Sequence, residues 1–311
     1  MNHVDILSDN HRAGIKDSGK ALIITSGIHG NECSANVTVG QLINCVNAGS
    51  SPFSGYDIYR IIRCINEAGI DHHEREWVDS DEKTLDINRN FYIDSGRFNS
   101  CEDACAYVKT AIKTACTLDA SGNRRIVYVI DVHNSPACRN MVLLNYADPR
   151  SDELLAHFTK CGLMCCSWNS TKNTLKDYAN SIPNVCAITV ELSGMGILRE
   201  REYRQNLEYL SAVIRAFSSY TPSGVIPMVD SRVFRYCCIS SQMEGFAELA
   251  VDYDDVLRHH FQKGEEICRL VGADNMVTEI IRAPENGIIV AWNPDIGFYG
   301  KSECIYEFWK D

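Results

Sequence analysis

The stretch "ALIITSGIHGNECSAN" (Ala21–Asn36) holds the frame of the molecule in sixteen residues. Ala21–Ser26 is an apolar run of strand composition, Gly27 breaks it, and the residues from Asn31 onward take up a helical spacing of apolar side chains. A strand, a glycine-bounded polar turn and a helix form the opening of a βα unit. The turn carries His29 and Glu32. A His and a Glu at this spacing recur by chance, so their meaning depends on what the other strands deliver beside them.

Working outward, "DIYRIIRCI", "RIVYVIDVH", "NMVLLNY" and "CAITVEL" read as further strands. They are almost continuously apolar, as expected of a sheet covered on both faces. Between them "NECSANVTVGQLINCVNAG", "CEDACAYVKTAIKTACTL" and "SDELLAHFTKCGLM" read as helices, the last with Ser151 as its N-cap and Asp152 and Glu153 in its first turn. A final helix covers "REREYRQNLEYLSAVIRAFSSY", with Leu207, Leu210, Val213, Ile214 and Phe217 on one face. The fold class is α/β, with a mixed, largely parallel sheet flanked by helices. At "YTPSGVIP" the helical pattern stops, and the short strands and turns that follow ("RVFRYCCIS", "KGEE", "APENG", "GIIVAW", "YGKSE") predict a small β-rich domain. The expected domains are residues 1–221 and 222–311, the second a barrel-like fold of two related halves.

The 30 basic and 41 acidic residues among 311 give a formal charge of −11. That balance argues against nucleic acid or an anionic membrane as the main partner. No apolar run approaches the roughly 18 residues that cross a bilayer, and the N-terminus "MNHVDILSDNHR" lacks the apolar core of a secretory signal. Fifteen cysteines, an odd number without paired CxxC spacing, fit reduced thiols serving as small core residues, with Cys64, Cys116 and Cys186 inside strands or helices. The expected location is the cytoplasm.

In an open α/β sheet, ligands collect at the carboxyl ends of the strands. The first strand delivers His29 and Glu32; the second is followed by "NEAG", "HHERE" and "LDINRNF"; the third ends at His133 and the fifth at Glu191. Two imidazoles and a carboxylate are a ligand set for catalytic zinc with one open position. Such an ion lowers the pKa of water and polarises a carbonyl. His29 from its loop and Glu32 from the first turn of the helix converge with His133, which arrives from a distant strand. Glu191 supplies a base to move the proton of the attacking water to the leaving nitrogen. Arg89 and Arg75 offer donor forks for a substrate carboxylate or a developing oxyanion.

"HGNE", "DINRNF", "IDVHNS" and "VELSG", in that order, resemble the zinc carboxypeptidase superfamily, and within it the succinylglutamate desuccinylase/aspartoacylase branch. The resemblance covers nearly the whole chain. It implies an α/β catalytic domain followed by a small β domain, and one zinc ion per chain on His29, Glu32 and His133. It also implies Glu191 as general base and acid, and Asn88 and Arg89 on the substrate's carboxylate end. Arg75 is the nearest match to the carbonyl-polarising Arg. Tyr299 is the choice for the Tyr that the β domain of relatives adds to the pocket, with Tyr306 as the other candidate. Aspartate-specific members carry an Arg about ten residues before the catalytic Glu; the stretch "DYANSIPNVCAITV" has none.

The remaining polar residues take supporting roles. Asp86 is expected to fix the loop bearing Asn88 and Arg89, and His72 and His73 to be an exposed pair. Asp131 is read on the strand face away from His133, as a supporting or structural carboxylate. The activity expected is zinc-dependent amidohydrolysis of a small N-acyl amino acid or similar amide, in a chain also compatible with a homo-oligomer. The alternatives are a metallocarboxypeptidase acting on peptide C-termini and a non-catalytic zinc- or ligand-binding relative.

Overall fold

A computed structural model describes residues 8–9, 18–50, 52–78, 83–92, 99–117, 122–135, 137–145, 148, 150–168, 172–194, 200–222, 235–251, 256, 259–292, 298–299 and 304–310. The chain folds as two units, residues 1–134 with 140–228, and residues 135–139 with 229–311.

The first unit holds β1 (Ser8–Asp9), β2 (Lys20–Ser26), α1 (Cys33–Asn47), β3 (Ile58–Ile62), α2 (Glu67–His72), β4 (Trp77–Val78), β5 (Thr84–Leu85), α3 (Asn99–Ala115) and most of β6 (Ile126–Ser135). After β7 (Ala137–Cys138) it continues with β8 (Met141–Asn145), α4 (Ser151–Lys160), β9 (Cys165–Trp168), α5 (Leu175–Asn180), β10 (Val185–Ser193) and α6 (Glu200–Ser219). Its seven-stranded sheet has the order β1-β3-β2-β6-β10-β8-β9. β2 runs parallel to β3 and β6, and β8 parallel to β9, while β1 and β8 run antiparallel to β3 and β10. The sheet is mixed and largely parallel, as the apolar strands predict.

Strand alternation separates two cores. Even-numbered residues of the central strands (Leu22, Ile24, Tyr128, Ile130, Val132, Ile188, Val190) pack under α1, α4 and α6. Odd-numbered ones (Ala21, Ile23, Val127, Val129, Val185, Ala187) pack under α3 and α5. Toward the carboxyl ends, the odd face changes character. Thr25, Asp131, His133 and Thr189 are buried there, and Glu191 is half-buried.

That face corrects the expectation for Asp131. Alternation returns residue i+2 to the same side of a strand, and Asp131 Oδ2 lies 2.9 Å from His133 Nε2. Three local expectations also change. Glu32 precedes α1 rather than standing in its first turn. Ser151 is the first helical residue of α4, with Arg150 at the cap position, because its hydroxyl donates to the Asn145 carbonyl instead. β3 ends at Ile62, which leaves Cys64 beyond it in a left-handed conformation, φ 55°. His72 and His73 are exposed, as expected.

The second unit is built from antiparallel strands. β7 joins a five-stranded sheet with β11 (Arg235–Ser240), β13 (His260–Phe261), β16 (Gly287–Trp292) and β18 (Cys304–Lys310). A four-stranded sheet has the order β15 (Val277–Arg282), β14 (Glu266–Val271), β12 (Gly245–Leu249) and β17 (Phe298–Tyr299). Phe261, Ile267, Cys268, Leu270 and Ile289 form its core. Among the described residues, no helix is long and apolar enough to cross a membrane.

Phe217 anchors α6 on the sheet, fully buried with its ring 4.9 Å from that of Tyr128 and 5.2 Å from that of Phe158. Replacing it with Ala removes both contacts and leaves a cavity. Phe217→Ala is expected to lower stability by about 3–5 kcal/mol, read from the midpoint of denaturant unfolding.

Candidate metal centre

The turn after β2 is shaped by contacts that exclude larger side chains. Gly27 has φ +74°, and a Cβ there would lie 2.6 Å from the Asn36 carboxamide. A Cβ on Gly30 would lie 2.0–2.4 Å from the backbone of Gly69 and Ile70. The turn is thereby pressed against the start of α2, and Gly30 N donates to the Arg75 carbonyl at 3.2 Å. Asn66, fully buried, completes the join. Its backbone N–H donates to Gly27 O at 2.7 Å, its Nδ2 donates to Arg75 O at 3.2 Å, and its Oδ1 accepts from Gly69 N at 2.8 Å.

Held this way, the turn brings two strand ends together. His29, Glu32 and His133 are 3%, 7% and 3% exposed. His29 Nδ1 is 2.6 Å from Glu32 Oε1, His133 Nδ1 is 2.8 Å from Glu32 Oε2, and the two Nδ1 atoms are 3.1 Å apart. On the far sides of the rings, His29 Nε2 faces Asp86 Oδ1 at 3.2 Å and His133 Nε2 faces Asp131 Oδ2 at 2.9 Å. Each ring thus lies between two carboxylates, Nδ1 turned to Glu32 and Nε2 to an aspartate that orients it. Two imidazoles and a carboxylate gathered this closely are donor types that suit a divalent ion such as zinc. The donor set fits a metal ion, and His29, Glu32 and His133 form a group able to hold one.

The electrostatics follow from the same contacts. Burial works against the Glu32 charge, but the charge and hydrogen bond of His133 and those of His29 outweigh it and hold the carboxyl well below its usual range. Burial also opposes the His133 charge, and Asp131 and Glu32 overcome it, so its pKa is raised well above normal. Asp86 is brought down to about 2, against its burial, by His29, Arg75 and Arg89. Asp131 is further fixed by Thr25 Oγ1, which donates to its Oδ1 at 2.8 Å.

Two asparagines that sequence reasoning did not single out, Asn66 and Asn134, tie the elements together. Asn134, next to His133 but on the other face of β6, bridges three segments. Its N–H donates to Glu32 Oε2 at 3.2 Å, its Oδ1 accepts from Ala35 N at 3.0 Å, and its Nδ2 donates to Gly194 O at 2.9 Å. The bond to Ala35 caps α1, a task that falls to Asn134 because the Glu32 side chain is turned to the histidines. "IDVHNS" contains this signal, since an Asn in the polar run after a buried strand is a candidate bridge.

The other predicted residues surround the three candidate ligands to different degrees. Glu191 stands two residues before the end of β10, on the same face as His133. Its carboxylate hydrogen-bonds none of the described residues, and burial pushes its pKa up to about 7. Arg75, 41% exposed at its side chain, reaches Glu32 Oε1 at 3.4 Å and Asp86 Oδ2 at 3.3 Å. Asp86 also caps the 3-10 turn Ile87–Arg89 by accepting from Asn88 N at 2.8 Å, so it fixes that loop as expected while backing His29 as well. Asn88 is buried and committed, its Oδ1 accepting from Leu175 N at 2.9 Å and its Nδ2 lying 3.1 Å from His133 Nε2. Arg89 is half-buried, with Nη1 donating to the Asn88 carbonyl at 3.0 Å. Tyr299 is paired opposite Gly245 in the second unit; its side chain, and that of Tyr306, lie outside the described residues.

The profile of the "Succinylglutamate desuccinylase/Aspartoacylase catalytic domain" family matches residues 18–217. No curated protein matches the chain. Solved structures with a similar fold include the product-bound ectoine utilization protein EutE (DoeB) from Ruegeria pomeroyi, at TM-score 0.65 and 15% identity over 95% of this chain and 87% of that one. A succinylglutamate desuccinylase from Silicibacter sp. TM1040 follows at TM-score 0.64 and 16% identity, covering 95% and 86%. An aspartoacylase family protein from Mesorhizobium loti gives 0.64 and 15%, covering 94% and 85%.

Gly30 offers a test of the turn that leaves His29, Glu32 and His133 unsubstituted. Gly30→Ala forces the turn off the Gly69 backbone and displaces His29 and Glu32. A misplacement of this size is expected to cost about a hundredfold in turnover, together with weakened metal retention in equilibrium dialysis. Unchanged retention and turnover would show that the turn has room to shift.

Proposed function

The chain belongs to the succinylglutamate desuccinylase/aspartoacylase family, a family of hydrolytic deacylases, and from that premise we propose that it is a zinc-dependent amidohydrolase releasing the acyl group of a small N-acyl amino acid or similar amide. The observation that carries this reading is the convergence of two inward-facing Nδ1 atoms on the Glu32 carboxylate, each ring backed by its own aspartate. His29, Glu32 and His133 would hold the ion, one per chain. Bound there, zinc supplies Lewis acidity, polarising a carbonyl and lowering the pKa of water toward neutrality.

The chain's own groups divide the remaining work. Glu191 takes the proton of the attacking water and returns it to the departing nitrogen. It is suited to this because its carboxylate is partly desolvated and hydrogen-bonded to none of the described residues, so its lone pairs are free. A cation seated among His29, Glu32 and His133 would draw its pKa below the value of about 7 to which burial, chiefly, raises it. Arg75 is assigned to the substrate oxygen on which charge develops, a reading supported by its half-exposed side chain and its long contacts to Glu32 and Asp86. Arg89 is assigned to the substrate's carboxylate. Asn88, whose oxygen is taken by the α5 backbone, sets the position of Arg89. Tyr299 is proposed as the second unit's contribution to substrate binding.

Metal analysis of the purified chain is expected to give about one zinc, with His29→Ala losing it while circular dichroism stays unchanged. Glu191→Gln is expected to keep the zinc and lose roughly 10²–10⁴-fold in kcat. A panel of N-acetyl amino acids, N-succinyl amino acids and C-terminal peptides then assigns the substrate class, with Tyr299→Phe raising KM on the preferred one. Zinc-free protein with full turnover sinks the reading. Turnover confined to peptide C-termini moves the activity to a carboxypeptidase.

A further inference from the structure

One buried cation takes no part in that chemistry. Lys176, the second residue of α5, is 5% exposed. Its Nζ makes one long hydrogen bond, donating to the Leu143 carbonyl at 3.4 Å. An ammonium has three protons to satisfy, and burying it with one weak partner is costly unless opposite charge lies nearby.

The sheet register says where that charge is. Leu143 stands opposite Thr189 in the β8–β10 ladder, and Thr189 is two residues before Glu191 on the same strand face. Lys176 therefore reaches the layer of Thr189, directly beneath that of Glu191. Burial lowers its pKa, and Asp177, then Cys166, Asp131 and Glu191, act against that. Asp177 has other partners, since it accepts from Asn145 Nδ2 at 3.0 Å and forms a capping box with Thr174. The same capping box and the Leu175–Asn88 hydrogen bond hold α5 in place, so the ammonium is a fixed charge.

Around the candidate ligands, Arg75 faces Glu32 and Asp86, Arg89 acts on Asp86, and both reach solvent. Lys176, by contrast, is a lysine withdrawn from water. Glu191 has no hydrogen bond to any described residue to hold its carboxylate over the strand end, and a fixed charge below it can do so.

We propose that Lys176 is a positioning residue whose buried ammonium, seated on the Leu143 carbonyl, holds the Glu191 carboxylate over the metal ligands by charge attraction. The proposal rests on the reading of Glu191 as the base.

The test uses the zinc-loaded full chain. Lys176→Met removes the charge, Lys176→Gln removes it while keeping a donor for Leu143 O, and Lys176→Arg retains it. Both neutral variants are expected to lose about tenfold in kcat with KM within about twofold, at unchanged zinc content, and Lys176→Arg to recover most of the loss. On the Glu191→Gln background, Lys176→Met is expected to cost nothing more, because the lysine acts through that carboxylate. Neutral variants with wild-type kcat overturn the proposal. So does an Arg variant no better than Met, or the full loss recurring in Glu191→Gln. If both neutral variants fail to fold, Lys176 belongs to stability and the proposal falls. A fully active Glu191→Gln overturns the base assignment itself, a result visible before any Lys176 variant is made.

Discussion

The parity of three strands is the constraint on which the rest depends. Along β2, β6 and β10 the odd-numbered side chains share one face, and that face is apolar in its lower half and polar in its upper half. The lower half, Val127, Val129, Val185 and Ala187 among it, binds α3 and α5 and fixes the strands in register. The upper half uses that rigidity, because Thr25 stands opposite Asp131 in the ladder and donates to it. One register slip would exchange the two faces and place Asp131 and His133 in the core beneath α1 and α6. The fold and the candidate centre are specified by the same alternation.

The second consequence concerns charge. A cluster in which Glu32, Asp86, Asp131 and Glu191 lie close together is unfavourable in a partly dry setting unless cations are distributed among them. The histidines serve Glu32 from inside, His29, Arg75 and Arg89 lower the pKa of Asp86, and Lys176 is buried against the Leu143 carbonyl of the neighbouring strand β8. Cationic side chains thus meet these carboxylates from within the centre and from its rim, and the imidazole and carboxylate groups at its middle are of the kinds that could hold a metal ion.

Much of this was legible in the sequence where a signal was local. The apolar strands, the helices between them, and His29, Glu32, His133 and Glu191 at strand ends follow from pattern and from the rule that sites gather at those ends. Asp86 was readable as a loop-fixing residue, because an Asp before a tight turn caps it. What escaped depended on contacts between distant segments. Asn134 caps a helix that begins a hundred residues earlier, and no spacing rule connects the two. Lys176 looks in sequence like any helix-surface lysine; only the packing of α5 against β8 and β10 buries it. Ser151 had the composition of an N-cap, but a competing carbonyl from Asn145 took its hydroxyl.

The residues that bind these distant parts together are repeatedly asparagines. Asn36 accepts from Ser26 Oγ, Asn66 joins the metal-side turn to the Arg75 segment, Asn88 joins the Arg89 loop to α5, and Asn134 joins Glu32, α1 and the residue after β10. All four are buried. Aspartate has nearly the same shape, yet it would fail here for two reasons. It has no donor for the Arg75 and Gly194 carbonyls, and it would add negative charge beside carboxylates that already need compensation. A lysine or arginine would supply donors but no acceptor for the backbone N–H groups of Gly69, Leu175 and Ala35. A carboxamide carries donor and acceptor on one short, neutral group, so it can bridge two segments without altering the field at the centre. Geometry and electrostatics are set by different residues in this fold, with asparagines holding the positions and the charged groups setting the field.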